Sequence, residues 1–298
     1  RCRGMKPRRW LYLAHRWLGI ALCLLIAMWF FSGVVMMYVG FPELTRAERL
    51  AALPPLRSGA IATDPSPLLA SLDTKLAIAS FQLTSVLGRP AYLLRSADGK
   101  VHGQFADSGS LFNGFGSADA VAAAASFATQ RHVASAGAAY LGLVDMDQWS
   151  VSGSLHPHRP LHLVALNDPA GTELYISSVT GEVLRDTTAV ERGWNWLGAN
   201  LHWIYPFQLR RHATVWHWLI VALSLAGLIA IVTGALVGVL RLRIRNPYRG
   251  RDLTPYRGAM KLHHLLGLGV LVPLTTYMFS GLMSMNPWGV FSDDQPFE

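Results

Sequence analysis

Eleven histidines occur in this 298-residue chain, and the neighbours of some suggest chemistry. His15 is followed four residues on by Gly19, and His263 by Gly267. An imidazole is a metal ligand, and a glycine one helical turn beyond it removes the side chain that would collide with a flat macrocycle bound there. The same glycine would equally permit close helix packing. Haem iron takes two axial imidazoles from opposing helices at similar depth, which makes His15 and His263 a candidate pair. His264 lies about 100° further round the helix and is a candidate substitute. His217, and His202 descending from an adjoining segment, are candidates for a second haem near the opposite end. A Cys-x-x-Cys-His sequence is absent, so one or two haems b would be held by coordination alone.

These histidines need helices to position them. Fifty-one per cent of the residues are hydrophobic and 15% charged, and the apolar residues fall in blocks at 17–39, 213–240 and 262–285. Each block can cross a hydrocarbon core of about 30 Å at about 1.5 Å per residue, and none contains Asp, Glu or Lys. A signal peptide would have a shorter apolar run ending in a small-residue cleavage site, so the first block is expected to be a retained span. The first and third blocks align at a constant offset: His15, Leu18, Gly19, Phe31, Ser32, Gly33 and Met37 fall on His263, Leu266, Gly267, Phe279, Ser280, Gly281 and Met285. This predicts an internal duplication. At about 100° per residue His15, Gly19, Gly33 and Met37 share one helix face. In the second block Gly234 and Gly238 form a Gly-x-x-x-Gly pair, for which helix packing is the better reading.

The formal charge of +8 does not point to nucleic acid, because the basic residues flank the blocks. Arg1, Arg3, Lys6, Arg8, Arg9 and Arg16 precede the first without an acid, and 241–261 holds seven basic residues against Asp252. Both segments are expected to be cytoplasmic by the positive-inside rule, which places residues 40–190 outside. Cys2 in the tail and Cys23 in the first span cannot staple that external segment, and no disulfide is expected.

Within 40–190 the pattern predicts helices at 65–72 and 119–130, with Ser117 or Asp119 as a cap for the second. Strands are expected at 78–86, 91–95, 101–105, 148–151, 161–166, 173–176 and 182–185, with a hairpin turn at Asp98-Gly99. This is helix-then-strands, twice. Trp194, Trp196, Trp203 and Tyr205 predict an interfacial helix across 191–212.

Other roles compete for the histidines. His15 and His264 could contact lipid phosphate, and His217 a neighbouring helix. A proton path is less favoured because no intramembrane carboxylate accompanies them. His156, His158 and His162 could form an external metal site if alternate residues shared a strand face, but Pro157 and Pro160 favour an irregular edge.

The chain resembles the PepSY-associated transmembrane family, including bacterial inner-membrane reductases of ferric siderophores. The resemblance is carried by His15-Arg16-Trp17-Leu18-Gly19, His158-Arg159-Pro160-Leu161, residues 167–184, Trp194-Asn195-Trp196-Leu197-Gly198, His202-Trp203-Ile204-Tyr205-Pro206, His263-His264-Leu265-Leu266-Gly267 and residues 279–288. It implies a four-helix membrane unit with external PepSY modules, in some members binding two haems b and passing electrons outward to ferric chelates. Only three apolar blocks are present here, so a fourth helix would follow residue 298.

The expected fold is therefore mixed: a transmembrane α-helical bundle with an α+β PepSY-like periplasmic domain. Its segments are a cytoplasmic tail (1–16), spans (17–39, 213–240, 262–285), the periplasmic domain (40–190), the interfacial helix (191–212), a cytoplasmic loop (241–261) and a periplasmic tail (286–298). The expected function is haem b electron transfer in a bacterial inner membrane, with the N-terminus cytoplasmic and ferric chelate (siderophore iron) reduced outside. No flavin or nicotinamide fingerprint is present, so a quinone or a separate reductase would donate the electrons. The alternative is a haem-free, membrane-anchored PepSY sensor or binder of a periplasmic peptidase. No catalytic side chain is assigned.

Overall fold

Pro7 opens the first helix, where its missing N–H leaves no bond unmade. This helix, α1 (Pro7–Met36), is long and apolar enough to cross a membrane. The computed structural model describes residues 7–72, 77–112, 114–133 and 136–291, without the side chain of Arg251. Arg1, Cys2, Arg3 and Lys6 of the basic tail, and residues 292–298 of the expected periplasmic tail, lie outside the described residues. The chain forms two compact units, a sheet unit (33–201 and 205–211) and a membrane unit (1–32, 202–204 and 212–298).

The sheet unit begins with two short helices, α2 (Arg46–Ala51) and α3 (Ser66–Ala70). Thr45 and Glu48 form a reciprocal capping box on α2. Strands β1 (Ile78–Val86), β2 (Arg89–Ser96), β3 (Val101–Phe105) and β4 (Leu111–Phe112) follow as an antiparallel meander. Gly99 takes the left-handed conformation (φ +86°) that the β2–β3 hairpin requires. Gln104 ties α3 to this sheet, accepting from Leu68 N at 2.9 Å and donating to the Asp64 carbonyl at 2.8 Å.

The second half repeats the plan with α4 (Ser117–Gln130), then β5 (Ala139–Val144), β6 (Leu161–Ala165), β7 (Glu173–Ser177) and β8 (Val183–Thr187) in sequential antiparallel order. Gly116 is the N-cap of α4, and the Asp119 carboxylate reaches back to accept its N–H at 2.9 Å. Ala120, Ala124 and Phe127 of α4 pack on Val164, Leu174 and Ile176 of the sheet. The strand expected at 148–151 is instead a turn, because the Asp147 carboxylate accepts from the backbone N–H groups of Trp149 and Ser150 at 3.0 and 2.9 Å. The strand not expected from sequence is β5, whose apolar run is interrupted at Gly142 (φ +144°), where the pairing with β6 shifts register.

The expected single helix at 191–212 is three short ones, α5 (Ala189–Leu197), α6 (Ala199–His202) and α7 (Phe207–Arg210). Gly198 leaves helical geometry, and Ile204 turns into the left-handed region ahead of Pro206.

In the membrane unit, α8 (Ala213–Arg241) is the second helix able to cross a bilayer. The apolar block at 262–285 is broken into α9 (Gly258–Gly269) and α10 (Leu271–Ser284), bent by 67°. Pro273 offers no N–H to the Gly269 carbonyl and its ring crowds that position. At the constant offset between the first and third apolar blocks Leu25 falls where Pro273 stands, and α1 is uninterrupted there. A third crossing therefore requires the bent pair to count as one span. Trp29, Ile231 and Met278 form the packed centre of the unit. Large side chains such as Leu24 (82% exposed) and Val239 (63%) point outward, as lipid-facing residues do.

Candidate functional site

α1 and α9 carry His15 and His263, whose ring centroids lie 6.2 Å apart with planes 37° from parallel. Two imidazoles on one metal, each bonded at about 2 Å, hold their ring centres roughly 6 Å apart. His15 is half-buried and its Nδ1 lies 3.2 Å from the Ala230 carbonyl of α8. A carbonyl only accepts, so Nδ1 carries the hydrogen and Nε2 keeps the lone pair. His263 is exposed, and among the described residues its ring makes no hydrogen bond.

The glycines one turn beyond these histidines adjoin open space: a Cβ built on Gly19 or Gly267 would meet nothing within 4 Å. Close helix packing therefore does not account for them, whereas a flat group bound at the neighbouring histidines would use that clearance. On α8 the reverse holds. A Cβ on Gly234 would come within 2.7 Å of His15 Cε1, and one on Gly238 within 2.8 Å of the Leu268 side chain.

The remaining candidates stand apart from this pair. His264 is buried, with Nε2 donating to the Gly238 carbonyl at 2.8 Å and Nδ1 accepting from the Thr254 hydroxyl at 2.7 Å. Both ring nitrogens are engaged, and the residue fastens α9 and the 242–257 loop to α8. His202 is also fully engaged: Nδ1 donates to the Trp29 carbonyl at 3.1 Å, with Ser32 Oγ at 3.2 Å, and Nε2 accepts from the Tyr277 hydroxyl at 3.3 Å. The His217 ring packs edge-on against Trp218 and meets no other histidine among the described residues. Ala230 and Gly234 were not singled out as ligand supports by sequence, which carries no signal for a backbone carbonyl's target.

Residues 12–296 match the model of the PepSY-associated TM region. The chain belongs to that family. No curated protein and no solved structure matches it. In this PepSY-associated TM chain the sheet-unit histidines are arranged differently from the membrane pair. His156 and His158 lie in a short 3-10 turn and His162 in β6, so they do not share a strand face. His158 accepts from Arg95 at 3.2 Å and donates to Ser177 Oγ at 3.0 Å. His162 donates to the Phe115 carbonyl at 2.8 Å and accepts from Tyr140 at 3.0 Å. Burial, then the nearby Arg95 and Arg49 charges, push the His158 pKa down to about 4. Among the described residues no group of three His, Cys, Asp or Glu side chains could hold a metal ion.

Proposed function

We propose that this family member is an electron-transfer protein of the bacterial inner membrane that holds haem b between His15 and His263. The observation that carries the reading is the pairing of these two rings at 6.2 Å, with the His15 tautomer set by a carbonyl. A metal-bound histidine characteristically donates its other N–H to such an acceptor. The clearance beside Gly19 and Gly267 supports it further. Haem b, when bound, supplies one-electron chemistry. The helices orient the two imidazoles, and the Ala230 carbonyl that accepts from His15 Nδ1 would raise the basicity of that ligand.

The flanking basic segments support an N-terminus in the cytoplasm and a sheet unit in the periplasm. His15 and His263, in the N-terminal halves of α1 and α9, would then stand on the cytoplasmic side, near a quinone or reductase donor. The acceptor in this reading is a ferric chelate such as siderophore iron, outside the membrane.

The deciding experiment is a reduced-minus-oxidised spectrum of the detergent-purified protein. Soret and α bands of haem b are expected. Their absence rejects the reading and leaves a haem-free membrane-anchored protein.

A further inference from the structure

The imidazole of His15 rests on a third helix. Its Nδ1 faces the Ala230 carbonyl at 3.2 Å, and the backbone of Gly234, one turn further along α8, forms the wall beside it. A Cβ at Gly234 would stand 2.7 Å from Cε1 and 3.1 Å from Nδ1, closer than real side chains approach, so any larger residue displaces the ring. The other close-packed glycines of α8 receive apolar groups: Gly227 faces the Met278 methyl and Gly238 faces Leu268. Among these three, Gly234 alone has an imidazole against the position its Cβ would take.

We propose that Ala230 and Gly234 are positioning residues for the haem ligand, a seat on α8 that selects the Nδ1–H tautomer of His15 and leaves Nε2 as the coordinating nitrogen. This inference rests on the haem reading above. Thr233 belongs to the same seat. Its hydroxyl is shared between the Ile229 carbonyl at 2.8 Å and the Ala230 carbonyl at 3.0 Å, so it competes with His15 for one acceptor. Removing that competitor makes Ala230 a stronger acceptor from Nδ1–H. The His15 ring then becomes a more basic ligand, which favours ferric over ferrous iron and lowers the midpoint potential.

The test uses the purified full chain, read by absorption spectrum, spin state and potentiometric titration. Gly234→Ala should lose the six-coordinate, low-spin signature of this site. Gly227→Ala, which crowds only the flexible end of Met278, should keep it. Thr233→Val should leave the spectrum in place and shift the midpoint downward, and Thr233→Ser should restore the wild-type potential.

Wild-type protein without haem overturns the haem reading and this inference together. Haem present in the wild type with an unaltered Gly234→Ala spectrum, or an equal loss in Gly227→Ala, overturns the inference alone. An unchanged or raised potential in Thr233→Val does the same, and that variant decides the matter if Gly234→Ala fails to accumulate.

Discussion

Two sets of histidines in this molecule differ in what their nitrogens are doing. In the sheet unit, His158 and His162 each donate from one nitrogen and accept at the other. In the membrane unit, His15 uses only Nδ1, and His263 makes no hydrogen bond among the described residues. A ring with both nitrogens bonded is a fastener, since recruiting it to a metal means breaking a buried hydrogen bond. A ring with one nitrogen held and the other open is pre-oriented as a ligand. The difference teaches that residue type and spacing nominate candidate ligands, while partner geometry shows which candidates are already committed as fasteners.

The largest expected effect breaks the comparison at its centre. His15→Ala and His263→Ala should each abolish the same haem b component in a reduced-minus-oxidised spectrum, whereas His162→Asn should leave it intact. Survival of that component in both membrane variants would reject the pairing.

A second effect belongs to the sheet unit. His158 has its folded-state pKa depressed to about 4 against an ordinary value of 6.5, so its stabilising contribution is fully present above pH 6.5. As pH falls from 6.5 towards 4, the unfolded chain takes up a proton that the folded chain refuses. The loss approaches about 3 kcal/mol and is complete once pH has passed below the folded pKa. Thermal melts of wild type and His158→Asn at pH 7.5 and 5 should show a markedly smaller acid-dependent drop in the variant. Equal drops would mean that other groups carry the acid sensitivity.

A third, smaller effect concerns a membrane-unit histidine that behaves like the sheet-unit ones. His264→Ala leaves the Thr254 hydroxyl without its acceptor and takes one of two donors from the Gly238 carbonyl, which keeps the Leu242 N–H, at a cost of about 1–3 kcal/mol for a buried group. The denaturation midpoint should fall while the haem spectrum persists. Loss of haem at unchanged stability would move His264 from fastener to ligand.

Much of the fold could be read from sequence because its signals are local. Periodicity located β1 and β3 to the residue, and the apolar blocks located α1 and α8 to within a turn of one terminus or both. The breaks were harder. Pro273 sits in a block as apolar as its counterpart in α1, and block hydropathy contains no term for a missing N–H. The strand at 139–144 was missed because Gly142 interrupts its short apolar run at a register shift, and the pairing is supplied by β6 across the sheet. For the site, the His-x-x-x-Gly repeat nominated His15 and His263, whose rings the fold brings to 6.2 Å. It could not show which way His264 faces, because adjacent residues on a helix diverge by about 100° and only α8 determines which of them meets a carbonyl. The role of Gly234 was hidden for the same reason, since a Gly-x-x-x-Gly pair signals close approach without naming what approaches.

The smallest expected effect is the most discriminating, because its two readouts move in opposite directions. A Cβ on Gly19 meets nothing within 4 Å in the protein itself, and alanine is a better helix former than glycine by up to about 1 kcal/mol. Gly19→Ala should therefore leave the haem-free protein as stable as wild type or slightly more so. If the clearance beside His15 exists for a bound macrocycle, the added methyl intrudes on it, and haem content per protein should fall. Gly281→Ala is the matched control, because its Cβ also meets nothing and it lies 18 residues beyond His263, several turns away. Equal haem content in Gly19→Ala, Gly281→Ala and wild type would mean that the open side of α1 faces lipid, and that the clearance has no part in holding the cofactor.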